Sequence, residues 1–313
     1  MGRTDASPHS ARHRGFTLIE IAVVIVVLSL LLAMIAGIAT AMLGQQRREA
    51  TRQRLAGVET ALALFASQHQ RLPCPANGAL ASNHVDAGKE NPDPPTGTCA
   101  SNQDNGVLPW RALGLAEQDI TDGWGNRLTY RVAPDLVVTP SMNFTQCDPG
   151  GTNAATGTLI DATSGYCLDG CTQASFSSST ANCRKPSAAV YGRGLRVQNL
   201  AGTPIMNPAA DATNLISTGA AYVVISHGEN REGAFNADGI AQAASGADSG
   251  TEEQKNFASL TYTPTCPGGV GSTCYFVDDF PSYPTGAGHF DDFVLRPSIL
   301  TVATKAQLGP RAH

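Results

Sequence analysis

Residues 12–37 read "RHRGFTLIEIAVVIVVLSLLLAMIAG". A basic cluster runs into a glycine, and a long apolar stretch follows with one carboxylate, Glu20, near its start. Ile21–Met42 is 22 residues without a charge. About 20 such residues cross a bilayer as a helix. A secretory signal peptide is the competing reading, but its apolar core is usually only ~7–15 residues and ends at a small-residue cleavage site. The run here is longer, although "IAGIATA" does place small residues near its end. A carboxylate inside a membrane costs about 2.5–3.5 kcal/mol on insertion scales. Physics alone leaves two readings of Glu20: it sits at the interface with its side chain in water, or it has a partner for its charge.

No proline occurs between Pro8 and Pro73. Beyond Gly44 the segment "QQRREATRQRLAGVETALALFASQHQ" is rich in good helix formers. Leu55, Val58, Leu62 and Phe65 fall on one face at helical spacing. Glu59 is read as solvated. "RLPCP" ends the pattern, because the residue before Pro73 disfavours helix. One long helix is therefore expected over residues 16–72, apolar all round over about 21–42 and amphipathic afterwards. Arg3, Arg12 and Arg14 against Asp5 precede the span, and Arg47, Arg48, Arg52 and Arg54 against Glu49 follow it. Both flanks are basic, so charge does not choose an orientation.

The cysteines do choose one. Cys74, Cys99, Cys147, Cys167, Cys171, Cys183, Cys266 and Cys274 all lie beyond the apolar run, which fits an exported, oxidising compartment for the C-terminal body. A zinc reading of these cysteines is weaker, since no C-x2-C pair exists and Cys167-x3-Cys171 lacks a matching histidine pair. Structural disulfides are the expectation, with Cys74–Cys99 closing one loop and Cys266–Cys274 a local hairpin. The body holds most of the 32 glycines and 19 prolines, a composition that favours strands and loops over a helical bundle. The formal net charge of −5 gives no reason to expect a nucleic-acid partner.

With these residues in view, "GFTLIEIAVVIVVLSLLLAMIAG" resembles the N-terminal segment of type IV pilins and type II secretion pseudopilins. The resemblance implies that a prepilin peptidase cuts after Gly15 and that Phe16 becomes a methylated N-terminus. It implies that Glu20 pairs with the N-terminal amine of a neighbouring subunit during assembly. Many major pilins have a kinking proline roughly where Gly37 stands; glycine there weakens a helix by ~1 kcal/mol without removing a hydrogen bond.

The body begins with residues 74–106, which lack apolar periodicity and read as a long loop. "LPWRALGL" looks like an ordered turn with Leu108, Trp110 and Leu113 buried. "DGWGN" is a turn and "RLTYRV" a strand; their order is similar to the turn and first strand after the long helix in pseudopilins. Residues 140–187 read as an insertion stapled by disulfides. Residues 188–200, 220–226, 274–279 and 289–296 read as further strands. Ser226, His227 and Asp278 raise a hydrolase reading, but no G-x-S-x-G elbow is present, and no enzyme activity is expected. Glu229, Asp238, Asp291 and Asp292 are oxygen donors of the kind calcium prefers, and the resemblance supports calcium because some pseudopilins bind it after the equivalent strand. No D-x-D-x-D-G loop is present and Asx turns also explain these residues, so no other cofactor is expected.

The expected fold is α+β and pilin-like: a long N-terminal helix, its first half spanning the membrane, packed on an antiparallel sheet body with disulfide-stapled loops. The expected organisation is a leader over residues 1–15, the helix over 16–72 and an exported body over 73–313. The expected function is structural: a minor or tip subunit of a type IV pilus or secretion pseudopilus. Its partners are prepilin peptidase, other subunits and the bacterial inner membrane, with the body in the periplasm before assembly. An adhesin or ligand-binding module, or a simple membrane-anchored exported protein, are the alternatives.

Overall fold

The computed structural model describes residues 18–92, 99, 103, 105–144, 158–160, 167–169, 193–208, 219–242, 250–257, 275–284 and 286–309. The chain divides into two units, one ending at Gln46 and one beginning at Arg47. Helix α1, Leu18–His69, contributes to both.

In the first unit α1 exposes its large apolar side chains on every side, from Leu18 through Leu43. A helix this apolar and this long can cross a membrane. Its few hydroxyls are satisfied within the helix: Ser29 Oγ donates to the Val26 carbonyl at 2.8 Å and Thr40 Oγ1 to the Gly37 carbonyl at 2.9 Å. Groups paired in this way need no water, which suits a hydrocarbon environment.

In the second unit α1 becomes one-sided. Thr51, Leu55, Val58, Leu62, Phe65 and Ala66 are buried, following the helical spacing of the sequence. They join a core built on a five-stranded sheet. Its strands are β1 (Ala76–Asn77), β2 (Gly106–Val107), β3 (Thr129–Val132), β8 (Tyr222–Ser226) and β10 (Phe293–Leu295). They lie in that spatial order and every neighbouring pair is antiparallel. The intervening strands lie in two smaller sheets. Strands β4 (Thr158–Ile160) and β5 (Cys167–Asp169) form a pair. Strand β6 (Val197–Gln198) lies between β7 (Pro204–Met206) and β9 (Phe276–Val277).

The central pair, β3 and β8, is buried throughout. Tyr130 opposes Val224, and Val132 opposes Tyr222. On this face Tyr130 Oη donates to the Pro73 carbonyl at 3.1 Å, and Tyr222 lies beside Glu59 of α1. Glu59 is therefore not a free solvated residue. Its Oε1 is 2.6 Å from Lys305 Nζ, at the end of a short helix, α2 (Ile299–Lys305), that Ser298 caps by accepting from Thr301 N–H. Seven residues hold too little periodicity to separate α2 from a strand in the sequence.

The "DGWGN" turn fastens the sheet to α1. Asp122 Oδ1 accepts the backbone N–H groups of Trp124 (3.0 Å) and Asn126 (2.9 Å). Its Oδ2 accepts Ser226 Oγ–H of β8 at 2.7 Å. Gly123 N–H donates to Thr51 Oγ1 at 3.0 Å, and Arg54 donates to the carbonyls of Thr121 and Asp122. A Cβ on Gly123 would stand 2.3 Å from the Arg47 carbonyl oxygen, so no other residue fits without displacing backbone.

Residues 74–92 carry no apolar period, yet they are ordered. Cys74 and Cys99 form a disulfide. Glu90 accepts from Arg71 Nη1 and Nη2 (2.8 and 3.0 Å) and from Cys74 N–H (2.8 Å). Arg127 is buried and all of its N–H directions are used. Nε donates to Glu117 Oε1 (2.7 Å), Nη1 to the carbonyls of Gly78 (2.9 Å) and Leu80 (2.7 Å), and Nη2 to Ser82 Oγ (3.0 Å) and the Ala237 carbonyl (3.1 Å). Its guanidinium carbon lies 5.0 Å from the centre of the Trp110 ring. One cation thus replaces the missing apolar pattern as the organiser of this segment. Leu108 and Trp110 are buried as expected, and Leu113 is half-buried.

The anticipated insertion over residues 140–187 falls mostly outside the described residues. Cys147, Cys171, Cys183, Cys266 and Cys274 also lie outside them, as does the side chain of Cys167.

Two expectations follow for full-length protein in detergent, read by chemical unfolding. Gly123→Ala lowers stability by about 1–3 kcal/mol because backbone must move, while Gly57→Ala, whose Cβ meets nothing within 4 Å, is neutral or stabilising by up to ~1 kcal/mol. Arg127→Ala strands buried acceptors and costs about 3–5 kcal/mol, and Arg127→Lys recovers only part of that loss, having fewer donors and no planar fork.

Candidate functional site

The first candidate site is the start of α1. Glu20 stands in its first turn, where unpaired backbone N–H groups favour a carboxylate. Gly15 and Phe16 lie outside the described residues.

The second lies in the body, beneath the C-terminal end of β8. Here the sheet gathers His227, Glu232, Glu253, His289, Asp291 and Asp292, all buried. Asp291 and Asp292 are consecutive on the approach to β10, so their side chains leave the backbone on opposite sides. Asp291 Oδ2 accepts the backbone N–H groups of Glu229 (2.6 Å) and Asn230 (3.1 Å). Asp292 turns the other way: its Oδ2 accepts Asn256 Nδ2–H at 2.7 Å, and its Oδ1 is 3.7 Å from His227 Nδ1. Burial, followed by the neighbouring Glu253 charge, pushes the Asp292 carboxyl well above the usual carboxylate range. Burial also raises Glu253 to about 8, against the backbone N–H groups of Asp291 and Gly250 that favour its charged form. His227 is driven the opposite way, to about 3, by burial and then by the Arg131 charge. It is a neutral core residue whose Nε2 meets Thr129 Oγ1 at 2.7 Å.

Of the four sequence-read calcium candidates, Asp291 and Asp292 enter this cluster. Glu229 contributes a backbone N–H to Asp291, while its exposed carboxylate lies 3.9 Å from Arg48. Asp238 stands apart, in an Asx turn where its N–H donates to Asn236 Oδ1 at 3.0 Å. Glu253 and His289 had not been singled out in the sequence. The alternation His289-x-Asp291, which puts both side chains on one side of an extended segment, was a legible hint. Glu253, far away in sequence, offered none.

Ser226, His227 and Asp278 are each engaged elsewhere. Ser226 donates to Asp122, His227 meets Thr129, and Asp278 Oδ2 accepts from Arg296 Nε. No serine–histidine–carboxylate relay joins them.

Residues 10–36 match the family model of the prokaryotic N-terminal methylation motif. That motif is the signal of type IV pilins and pseudopilins, and here it opens a chain with their α+β layout of long helix and antiparallel sheet. It supports a protein of the type IV pilin or pseudopilin class, implying processing by prepilin peptidase and assembly with other subunits. The motif and the apolar helix together indicate membrane anchoring with an exported body. No curated protein and no solved structure matches the chain.

Proposed function

We propose that the chain is a structural subunit of a type IV pilus or a type II secretion pseudopilus, placed at a minor or tip position. Prepilin peptidase removes residues 1–15 after Gly15, and Phe16 becomes the methylated N-terminus. Before assembly the apolar part of the helix, about residues 21–42, spans the bacterial inner membrane, and the body over residues 73–313 stands in the periplasm. On assembly the helix leaves the bilayer for the filament core, and Glu20 receives the N-terminal ammonium of a neighbour.

The observation that carries this reading is the methylation motif running directly into a helix that is apolar on every side. Among the described residues of its unit this helix has no partner for its surface, and lipid or the helices of other subunits supply one. In either setting an ammonium beside Glu20 offsets the cost of holding its charge away from water, and removing one member of a buried pair costs about 3–5 kcal/mol. The pair therefore selects register as well as contributing affinity. Support for a minor or tip position is the bulk of the body, with long excursions between the strands of its central sheet, which would crowd neighbours in a bulk lattice.

Mass spectrometry of the mature N-terminus tests the processing step. The expected product begins at Phe16 and carries one added methyl group. Cleavage near Ala39 or Ala41 would instead mark an ordinary secreted protein. In an assembly assay, Glu20→Ala is expected to be cut and methylated normally but to enter filaments at least ~100-fold less. Normal incorporation of that variant would sink the proposed role of Glu20.

A further inference from the structure

We infer that Glu253, His289 and Asp291 bind a divalent transition-metal ion of the zinc class, which pins two separated segments of the body together. The inference concerns the body alone and stands or falls independently of the filament reading.

One donor atom from each of the three side chains lies within 4.8 Å of the other two. Acidic clusters are common without ions, but two of these donor atoms also lack partners. His289 is 8% exposed and Asp291 3%, yet His289 Nε2 and Asp291 Oδ1 are buried with no hydrogen-bond partner. They stand 3.9 Å apart. That is too far for a hydrogen bond. It fits two donors on one ion, since bonds of ~2.1 Å separate ligands by roughly 3–4 Å. Buried polar atoms are rarely left unpaired, and a cation between these two satisfies both.

The remaining bonds hold the donors in place. Asp291 spends Oδ2 on two backbone N–H groups, which leaves Oδ1 aimed at His289. Glu253 Oε1 accepts Asp291 N–H at 2.9 Å, and Oε2 accepts Asn230 Nδ2–H at 3.0 Å and Gly250 N–H at 3.2 Å. The edge of the Tyr283 ring packs against the His289 imidazole. Such outer contacts are what orient metal ligands. Glu232, whose Oε2 is also buried without a partner, interacts electrostatically with His289 and is a candidate for a fourth position.

The donor set decides the metal. Calcium takes six to eight oxygens, whereas an imidazole nitrogen with carboxylates suits zinc and its neighbours. The buried location argues for a structural ion in place of an open catalytic one. The ion would tie the segment over residues 250–257 to the lead into β10, and the loop after β8 joins them through the N–H groups that Glu229 and Asn230 donate to Asp291. It would also offset the concentration of buried carboxylates there.

The test uses full-length protein in detergent, stripped with chelator and then titrated separately with zinc and with calcium. Calorimetry and thermal unfolding are the readouts. One equivalent of zinc per chain is expected at micromolar or tighter affinity, with a rise in unfolding temperature. His289→Ala is expected to weaken zinc at least ~100-fold, since even outer-shell changes cost 10–100-fold. Asp238→Asn, remote from the cluster, should leave binding unchanged. Absence of zinc uptake by the wild-type chain overturns the inference, and so does uptake that survives both His289→Ala and Asp291→Asn. Calcium binding without zinc binding overturns it as well. Should His289→Ala fail to fold, the wild-type titration and Asp291→Asn still decide.

Discussion

The body depends on one close approach, the seating of the Asp122–Asn126 turn on α1. Backbone meets backbone there: Gly123 lies against the Arg47 carbonyl with no room for a Cβ. Asp122 then binds in three directions at once, closing its own turn, accepting from Ser226 on β8 and presenting its carbonyl to Arg54 on α1. Burial raises its pKa, against the bonds from Asn126, Ser226 and Trp124 that favour the charged form. A carboxylate so placed fixes the angle and register of the sheet on the helix, because each of its acceptor directions has a single donor of the right position. Apolar packing of Leu55, Val58 and Leu62 supplies driving force, but it is non-directional and would tolerate other seatings.

Away from that contact, the body relies on buried cations where apolar pattern is missing. Arg127 holds Gly78, Leu80 and Ala237 through their carbonyls and Ser82 through its hydroxyl, and Arg71 holds Glu90 beside the Cys74–Cys99 disulfide. Guanidinium suits this work because its donors lie in one rigid plane and it never loses its charge. Lysine would leave carbonyls unpaired, and a buried unpaired carbonyl costs about 1–3 kcal/mol.

The elements that could be read in advance were those specified by neighbours along the chain. The amphipathic face of α1, the "DGWGN" turn and strands β3 and β8 are local patterns, legible at helical or alternating spacing. Two features have causes that are not local. Glu59 looked solvated until Lys305 arrived from the far end of the chain. Residues 74–106 read as a long loop, and the described part is largely loop and turn closed by the Cys74–Cys99 disulfide; what the sequence did not show is how residues 78–82 are held, because Arg127 lies well downstream.

The apolar helix and its processing motif were determined by sequence alone. A helix that spans a bilayer satisfies its backbone internally and needs only a charge-free run without proline, so nothing distant has to be known. Gly15, Phe16 and Glu20 lie within the matched motif, residues 10–36, which is defined by adjacency. The buried cluster is the opposite case. Glu253, His289 and Asp291 come from two separated segments, and only strand pairing between β8 and β10 brings the β8 loop beside them. Which of many exposed-looking carboxylates becomes a buried donor is decided by the sheet, because burial and convergence belong to the tertiary structure and have no counterpart in local order.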